Sequence, residues 1–229
     1  MRTALFGGSF DPPHLGHTGI ALAAAERLRL DRILMAPAGR QPLKRDQQLS
    51  PYADRLAMVE LACRNHPPLI ASDIDAPLPD GRFNYTCDTL ERLRRDSPGD
   101  ELFCLIGADS LQTLRRWYRA PEALMLAQWI VAGRPGLPHH GLLAETLCNL
   151  LPPEIKAGPP AQSGAQCIRV PLTAGSSRQT LWLLPGLDYE ISATELRAAL
   201  AAGHHGIAQQ VLDPAVAEYT RTHRLYRDN

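Results

Sequence analysis

Two glycines, two prolines and two histidines occupy eleven consecutive positions, residues 7–17, which read GGSFDPPHLGH. Gly7 and Gly8 allow the backbone to bend sharply and to approach a ligand without a Cβ in the way. A helix that begins at the end of this stretch presents free N–H groups and the positive end of its dipole, which together attract an anion. His14 and His17 then lie on one helix face, where imidazole N–H groups can bind phosphate oxygens and stabilise charge that grows during a reaction. The stretch therefore predicts an anion site suited to phosphate chemistry.

Two alternatives remain for these histidines. They could belong to a zinc site, although no cysteine is close and further ligands would be needed, or they could lie on the surface by chance. The glycine spacing fits neither GxGxxG nor GxxxxGK[ST], so neither the dinucleotide fingerprint nor the Walker loop applies. Phosphate binding is the interpretation that uses the whole arrangement of glycines, prolines and histidines.

A second candidate anion site lies in residues 191–197, which read ISATELR. Ser192 and Glu195 have the spacing of a capping box, and two apolar neighbours have that of a hydrophobic staple, so most of the stretch could serve only to start a helix. Arg197 has no such explanation, because a cation in the second turn gains nothing from the positive end of the dipole. A bound polyphosphate would account for it.

Short apolar runs alternate with helical patterns, and this rhythm predicts the elements that position both stretches. A strand at Thr3–Phe6 leads into residues 7–17, and an alanine-rich helix at Leu15–Leu28 follows. Strands of mostly apolar residues are typical of a parallel sheet covered on both faces. We therefore predict an α/β fold, Rossmann-like and doubly wound, with a mainly parallel sheet and helices on both faces. Further strands are expected at Arg32–Ala36, Leu69–Ile74, Leu102–Ile106, Trp129–Ala132, Cys167–Val170 and Thr180–Leu184, and further helices at 51–63, Tyr85–Arg95, Ser110–Arg116, Glu122–Leu126, Thr194–Ala202 and Pro214–Thr222.

Element boundaries and domain organisation follow from capping signals and composition. Ser50 is expected to cap the helix that begins at Pro51. Proline and glycine are frequent between about residues 135 and 166, which predicts an irregular insertion interrupted by a helical stretch at Leu142–Leu151. With a C-terminal helical segment at about 192–226, the chain is interpreted as a single domain, residues 1–229.

Composition excludes several classes of protein. The chain has 229 residues, 45% of them apolar, which is enough for a sizeable packed core. Lys+Arg and Asp+Glu both number 24, and this formal net charge of zero argues against a protein that coats nucleic acid. Five scattered cysteines, no signal segment and no apolar run of about 18 residues predict a cytoplasmic protein that does not enter a membrane.

Residues 7–17 resemble the GxFxPxHxGH signature of the nucleotidyltransferase superfamily, and within it the bacterial nicotinate-nucleotide adenylyltransferases. Residues 191–197 resemble the ISSTxxR motif that holds the ATP phosphates in that family, with Ala193 in place of a serine. The resemblance extends from about residue 5 to residue 226. It implies catalytic roles for His14, His17 and Arg197, and ATP binding by Gly7, Gly8, Ser9, Phe10, His17, Gly107, Asp109, Ile191, Ser192, Thr194 and Arg197.

Other stretches resemble the parts of the family that bind the acceptor. Residues 84–90 (NYTCDTL) resemble the SYTxDTL segment near the nicotinate ring, although Asn84 could simply cap a helix. Asp109 follows a strand, where a carboxylate can bind ribose hydroxyls or only cap the next helix. Trp117 could stack on a pyridine ring or belong to the core. The resemblance implies substrate binding by Lys44, Tyr85, Thr86, Trp117, Tyr118 and Arg134, the match at Lys44 being looser because Leu43 replaces a histidine.

The resemblance implies transfer of the adenylyl group of ATP to nicotinate mononucleotide, giving deamido-NAD and pyrophosphate. ATP is then a co-substrate, and Mg²⁺ is expected to be held mainly by its phosphates and water, without a metal site made by the protein. The expected partners are these small molecules, with neither nucleic acid nor membrane, and the protein is expected to be a monomer or small homo-oligomer. Two alternatives stay open: a preference for nicotinamide mononucleotide as acceptor, and a non-catalytic nucleotide sensor on the same fold.

Overall fold

A mainly parallel β-sheet runs through the structure. The computed structural model describes residues 1–44, 48–132, 146–147, 149–163, 166–187 and 192–226. Within these residues the sheet has nine strands in the order β3-β2-β1-β4-β5-β9-β8-β6, and β7 pairs with β8. The strands are β1 (Arg2–Gly8), β2 (Arg32–Pro37), β3 (Leu69–Ala71), β4 (Glu101–Gly107), β5 (Gln128–Ala132), β6 (Lys156–Ala157), β7 (Ala161–Gln162), β8 (Ile168–Ala174) and β9 (Ser177–Leu184).

All pairs among β1 to β5, and the pair of β5 with β9, are parallel. β8 runs antiparallel to β9, β6 and β7. β8 and β9 form a hairpin whose turn begins at Gly175, a residue with φ of +58°, a conformation that glycine adopts without a steric penalty. The predicted α/β, doubly wound and mainly parallel fold is confirmed, with an antiparallel extension at one edge that the sequence pattern did not reveal.

Helices cover both faces of the sheet. They are α1 (Leu15–Leu28), α2 (Tyr52–Cys63), α3 (Thr86–Asp96), α4 (Ala108–Thr113), α5 (Ala120–Leu126), α6 (Ala193–Ala201), α7 (His205–Val211) and α8 (Pro214–Thr222), with short 3-10 turns at Pro42–Lys44 and Leu114–Arg116. In the described part of the chain, no helix is long and apolar enough to cross a membrane.

Successive residues of each central strand enter different cores, because side chains alternate across a sheet. Ala4 and Phe6 pack with α1 and α2 on one face, whereas Leu5 packs with α3, α4 and α5 on the other. A third apolar cluster joins α2 to α6, α7 and α8 through Met58, Ala62, Leu196, Leu200, Ala208, Leu212 and Val216. This cluster places the C-terminal helices beside the turn that follows β1.

Several predicted boundaries change. α2 begins at Tyr52 with Pro51 as N-cap and no side-chain capping bond, so the prediction of Ser50 as N-cap is wrong. Instead, the Ser50 backbone N–H donates to a buried carboxylate, that of Asp11, at 3.1 Å. The strand expected to reach Ile74 ends at Ala71, because the chain turns where the Ile74 N–H bonds the Ser72 hydroxyl.

The region between about 135 and 166 is only partly described. Its described residues include the two-residue strands β6 and β7, so that part is less irregular than expected. Residues 133–145, 148 and 164–165 lie outside the described residues, and with them half of the helix expected at Leu142–Leu151. In the C-terminal segment, α7 was not predicted.

The strand order contains a topological switch point. From β1 the chain proceeds outward to β2 and β3, and it then returns to place β4 on the other side of β1, followed by β5. In open α/β sheets, ligands bind outside the carboxyl ends of the strands at such a point. Gly8 ends β1 and Gly107 ends β4 at this edge, so the switch point lies between the glycine–histidine turn and the GADS segment at 107–110.

Candidate active site

The turn after β1 brings the two histidine rings together. His14 is the N-cap of α1 with extended backbone, and His17 is its third helical residue. Their rings stack with centroids 3.7 Å apart, and His14 is only 8% exposed. The expectation that both side chains share one face is confirmed, although His14 stands just before the first helical turn instead of inside it.

One ring nitrogen of His17 is committed to the backbone. The His14 N–H donates to His17 Nδ1 at 3.2 Å, so in the neutral ring the proton resides on Nε2, which is therefore a donor. Phe10 packs edge-on against His17 with ring centroids 5.0 Å apart, and it is 1% exposed. The Phe10 side chain thus forms a wall that orients His17, and any contact of this residue with ATP would have to come from its backbone.

The two glycines of the turn meet different surroundings. A Cβ built on Gly8 would lie 3.1 Å from the Phe10 ring, whereas a Cβ on Gly7 would find no atom within 4 Å. A side chain at Gly8 would therefore be crowded by the protein's own packing. A side chain at Gly7 would not, and the open space beside Gly7 lies at the edge of the sheet where a ligand would approach.

α6 brings Arg197 to the same turn. Ser192 caps this helix, its hydroxyl accepting the Glu195 N–H at 3.4 Å, as the capping interpretation predicted. Arg197 Nη1 donates to the backbone carbonyl of Asp11 at 2.8 Å, and Nη2 reaches the Thr194 hydroxyl at 3.3 Å. The two stretches predicted to bind anions, 186 positions apart at this bond, are neighbours in the fold.

A buried arginine that the sequence analysis missed ties the surrounding turns together. Arg55 is 2% exposed and donates to the backbone carbonyls of Ser9, Ala38 and Ser50 at 2.9, 2.9 and 3.1 Å. Burial lowers the pKa of Arg55, because the charged guanidinium has lost water. A signal was available: Arg55 stands on the apolar face of α2 with Met58, Val59, Ala62 and Cys63, at the spacing of core residues.

A second polar network fixes the loops beyond β2 and β3. Asn84 Nδ2 donates to the carbonyl of Ala76 at 2.8 Å and to that of Asp75 at 3.1 Å, while its Oδ1 accepts the Arg40 N–H at 2.9 Å. A Cβ on Gly39 would lie 2.6 Å from Asn84 Oδ1. Asn84 therefore joins two loops and makes no capping bond to α3, whose N-cap is Tyr85.

Asp75 lies inside this network. Its Oδ1 accepts the Thr89 hydroxyl at 2.8 Å, and the Asn84 amide approaches the same oxygen at 3.4 Å. Burial raises the pKa of Asp75 to about 6, although the hydrogen bonds from Thr89 and Asn84 act in the opposite direction. The carboxyl is thus held next to the residues predicted to bind the acceptor.

Those residues, Tyr85 and Thr86, lie at the start of α3. The Tyr85 ring packs on that of Tyr118, with centroids 4.3 Å apart, and Tyr118 is 50% exposed. Trp117 is half-buried: it packs edge-on against Trp129, and its Nε1 donates to the Thr113 hydroxyl at 3.2 Å. Stacking of Trp117 on a pyridine ring stays a prediction, while its contact with the core is observed.

The loop at 39–41 links this side to the histidine turn. The Asn84 N–H donates to the Arg40 carbonyl at 2.9 Å, and the Ala38 N–H donates to the Gly8 carbonyl at 2.8 Å. Across the switch point, Gly107 is the N-cap of α4 and Asp109 is exposed in its first turn. Arg134, Ile191 and the side chain of Lys44 lie outside the described residues. Among the residues that are described, no group of three His, Cys, Asp or Glu side chains could hold a metal ion.

Comparison with known proteins agrees with this geometry. The profile of the cytidylyltransferase-like family matches residues 5–199, and the chain belongs to that family. Relatives named probable nicotinate-nucleotide adenylyltransferase come from Laribacter hongkongensis strain HLHK9, 39% identical over 229 residues, and Solibacter usitatus strain Ellin6076, 34% identical over 227. The matches cover 99% of this chain, and 95% and 100% of those proteins. The resemblance to bacterial nicotinate-nucleotide adenylyltransferases is thereby confirmed.

A solved structure shares the fold at low sequence identity. It is that of Plasmodium falciparum nicotinic acid mononucleotide adenylyltransferase complexed with NaAD, with a TM-score of 0.71 and 16% identity. The match covers 98% of this chain and 97% of that chain.

Proposed function

We propose that this protein transfers the adenylyl group of ATP to nicotinate mononucleotide, releasing deamido-NAD and pyrophosphate. The single observation that carries this proposal is the hydrogen bond from Arg197 Nη1 to the Asp11 carbonyl, which joins two phosphate-binding stretches from distant parts of the sequence. The names of the relatives support the choice of substrates.

The reaction needs alignment more than proton transfer. A phosphate oxygen of nicotinate mononucleotide attacks the α-phosphorus of ATP, a new P–O bond forms, and the bond from the α-phosphorus to the bridging oxygen of pyrophosphate breaks. The attacking phosphate is already anionic near neutral pH, so no general base is required. The protein has to hold the two phosphates in line and to stabilise the negative charge that grows on the leaving pyrophosphate.

The ATP site combines both stretches. We assign the triphosphate to the backbone of Gly7–Phe10, to the Nε2 donor of His17 and to the start of α6 at Ile191, Ser192 and Thr194. His14, stacked on His17, and Arg197 complete the catalytic group, with Arg197 on the leaving pyrophosphate. Gly107 and Asp109 would bind the ribose of ATP, because they lie at the carboxyl end of β4 beside β1.

The acceptor site is assigned to the other side of the turn. Tyr85, Thr86, Trp117 and Tyr118 would enclose the nicotinate ring, with Lys44 and Arg134 contributing positive charge toward the acceptor. In support, Asn84 anchors the start of α3 to the loop at 39–41, and Ser9 Oγ approaches Gln41 Oε1 at 3.4 Å. The acceptor residues thus adjoin the turn proposed to bind ATP.

Mg²⁺ is proposed to accompany ATP and to be held mainly by phosphate oxygens and water. The nearby donor set fits that arrangement better than a protein cage, because His17 Nδ1 already accepts a backbone hydrogen bond and Mg²⁺ prefers oxygen ligands. When bound, the ion would neutralise charge on the triphosphate.

Three further assignments belong to the proposal. The chain is assigned as a single nucleotidyltransferase domain. This assignment is supported by the sheet, which every described strand joins. The protein is cytoplasmic, since the four described cysteines, Cys63, Cys87, Cys104 and Cys167, are buried and free. It acts on small molecules, without nucleic acid or membrane, as a monomer or small homo-oligomer.

The test is release of pyrophosphate from ATP and Mg²⁺ with two acceptors, nicotinate mononucleotide and its amide. We expect much faster release with the acid. Equal rates would overturn the substrate assignment, faster release with the amide would establish the alternative acceptor, and binding of ATP without turnover on either would indicate a nucleotide sensor.

A further inference from the structure

The segment after α8 reaches back to the turn that follows β1. Tyr226 Oη donates to Asp11 Oδ1 at 2.6 Å, joining residues 215 positions apart. Asp11 precedes the histidine pair by a few residues and is 2% exposed. The fold therefore brings a tyrosine from beyond α8 to the base of the proposed ATP site.

Every acceptor group of Asp11 has a different partner. Oδ1 accepts from Tyr226, Oδ2 accepts the Ser50 N–H at 3.1 Å, and the backbone carbonyl accepts from Arg197 at 2.8 Å. Burial, with the Asp11 carboxylate beside it, raises the pKa of Tyr226 well above its usual range, so this phenol remains a donor. A buried carboxylate requires such partners, and removing one leaves part of its charge uncompensated.

The backbone next to Asp11 also depends on these contacts. Phe10 has φ of +46°, a left-handed conformation that bulky residues rarely adopt. Such a residue persists only where the surrounding structure holds it. Asp11 is the next residue, and the hydrogen bonds to its carboxylate and its carbonyl fix the backbone of the turn beside Phe10.

We propose that Asp11 is a positioning residue of the ATP site and that Tyr226 is its essential partner. The Tyr226–Asp11 bond holds the turn after β1 at the separation from α6 where Arg197 and the histidines can bind one triphosphate. Neither residue is assigned a contact with the reacting atoms. This inference rests on the proposed function for its choice of ATP as ligand.

The chain offers a matched control. Tyr219 Oη donates to Asp54 Oδ1 at 2.9 Å, again a tyrosine–carboxylate bond between the C-terminal segment and the region of α2. Both tyrosines pack on the same apolar cluster around Met58 and Val216. Only Tyr226 bonds a residue of the turn after β1. If both tyrosines served only to stabilise the fold, their phenylalanine variants would show similar changes in ATP binding.

The experiment compares Tyr226→Phe with Tyr219→Phe in the full chain. Binding of ATP without acceptor is measured by isothermal titration calorimetry, and kcat and both KM values are measured by pyrophosphate release. Tyr226→Phe is expected to weaken ATP binding by about tenfold, to raise the KM for ATP similarly and to leave the KM for nicotinate mononucleotide within about twofold. Tyr219→Phe is expected to keep both KM values and the ATP affinity within about twofold of wild type.

Two results would overturn the inference: ATP affinity of Tyr226→Phe equal to that of wild type, or an equal loss in Tyr219→Phe. If the wild-type protein releases pyrophosphate, either result refutes only the positioning role and does not affect the proposed function. Conversely, a wild-type protein that binds ATP but turns over neither acceptor refutes the proposed reaction, while a selective loss of ATP affinity in Tyr226→Phe still supports the positioning role.

Discussion

Replacing Arg55 by methionine tests how the turns around the site are held. Methionine preserves much of the length and apolar stem of arginine but donates no hydrogen bond. The carbonyls of Ser9, Ala38 and Ser50 would lose their charged donor together. Two of these carbonyls belong to turns that follow β1 and β2, so the change is expected to affect both stability and ATP binding.

The size of the effect follows from the contacts of Arg55. A hydrogen bond to a charged group contributes about 1.5–3 kcal/mol, so three independent bonds would suggest about 5–9 kcal/mol. The bonds share one side chain, and burying the guanidinium has its own cost, which is also why burial lowers the Arg55 pKa. Methionine removes the charge itself and leaves three carbonyls without this donor. A buried acceptor left unsatisfied costs about 1–3 kcal/mol, so after the cost of burying the guanidinium is offset we expect a loss of about 3–5 kcal/mol of unfolding free energy.

Urea unfolding, followed by tryptophan fluorescence, measures the loss, and pyrophosphate release measures the KM for ATP. The control is Arg27→Met: Arg27 Nη1 also donates to backbone carbonyls, those of Pro185 at 2.9 Å and Gln166 at 3.3 Å, but far from the turn after β1. We expect about 1 kcal/mol or less for this half-buried, surface-facing arginine and no change in the KM for ATP. A loss below about 1 kcal/mol in Arg55→Met, or an equal rise in KM in both variants, would refute the reasoning.

Four further predictions concern single positions. His17→Ala should lower kcat by about a hundredfold or more, measured by pyrophosphate release; a change confined to the KM for ATP would argue against a role in the transition state. Gly7→Ala should leave the melting temperature unchanged, because its Cβ would meet no protein atom within 4 Å. It should raise the KM for ATP at least about fivefold, because the same Cβ would enter the space assigned to the ligand. An unchanged KM would show that no ligand approaches there. Gly39→Ala should destabilise the fold by about 1–3 kcal/mol in urea unfolding, since its Cβ would lie 2.6 Å from the backbone nitrogen of Pro77. The control Gly99→Ala, whose Cβ would meet no atom within 4 Å, should stay within about 0.5 kcal/mol of wild type. Equal losses in the two variants would contradict the prediction. Finally, the pKa of Asp75, raised by burial to about 6, exceeds its unfolded value, so its contribution to stability is present at low pH and is lost as pH rises through 6. Between pH 4 and pH 7.5, wild type should therefore lose about 2–3 kcal/mol of unfolding free energy relative to Asp75→Asn, and parallel pH profiles would refute it.

The central fold was predictable because its signals are local. The apolar strand before residues 7–17 and the alanine-rich pattern after them fixed β1 and α1 closely, and β2, β4 and β5 were found in the same way. The direction of β8 was not predictable, since a short apolar run does not encode its partner. α7 was missed because its sequence, HGIAQQV, carries only a short helical pattern.

The sequence predicted the candidate ligand-binding residues of the site but not the residues that support them. Glycines, histidines and Arg197 stood out because no requirement of local structure explained all of them. Asp11, Asp75 and Asn84 act through long-range hydrogen bonds of buried polar groups, which leave no periodic trace in a sequence. Arg55 is the exception, because a charge on an apolar helix face is visible in the spacing of its neighbours.

The most direct measurement is a crystal structure with a non-hydrolysable ATP analogue. If two distant stretches form one phosphate site, oxygens of a single triphosphate will lie within about 3.5 Å of both His17 Nε2 and the Arg197 guanidinium. A triphosphate that contacts the turn after β1 while Arg197 stays on the Asp11 carbonyl and touches no phosphate would contradict the account.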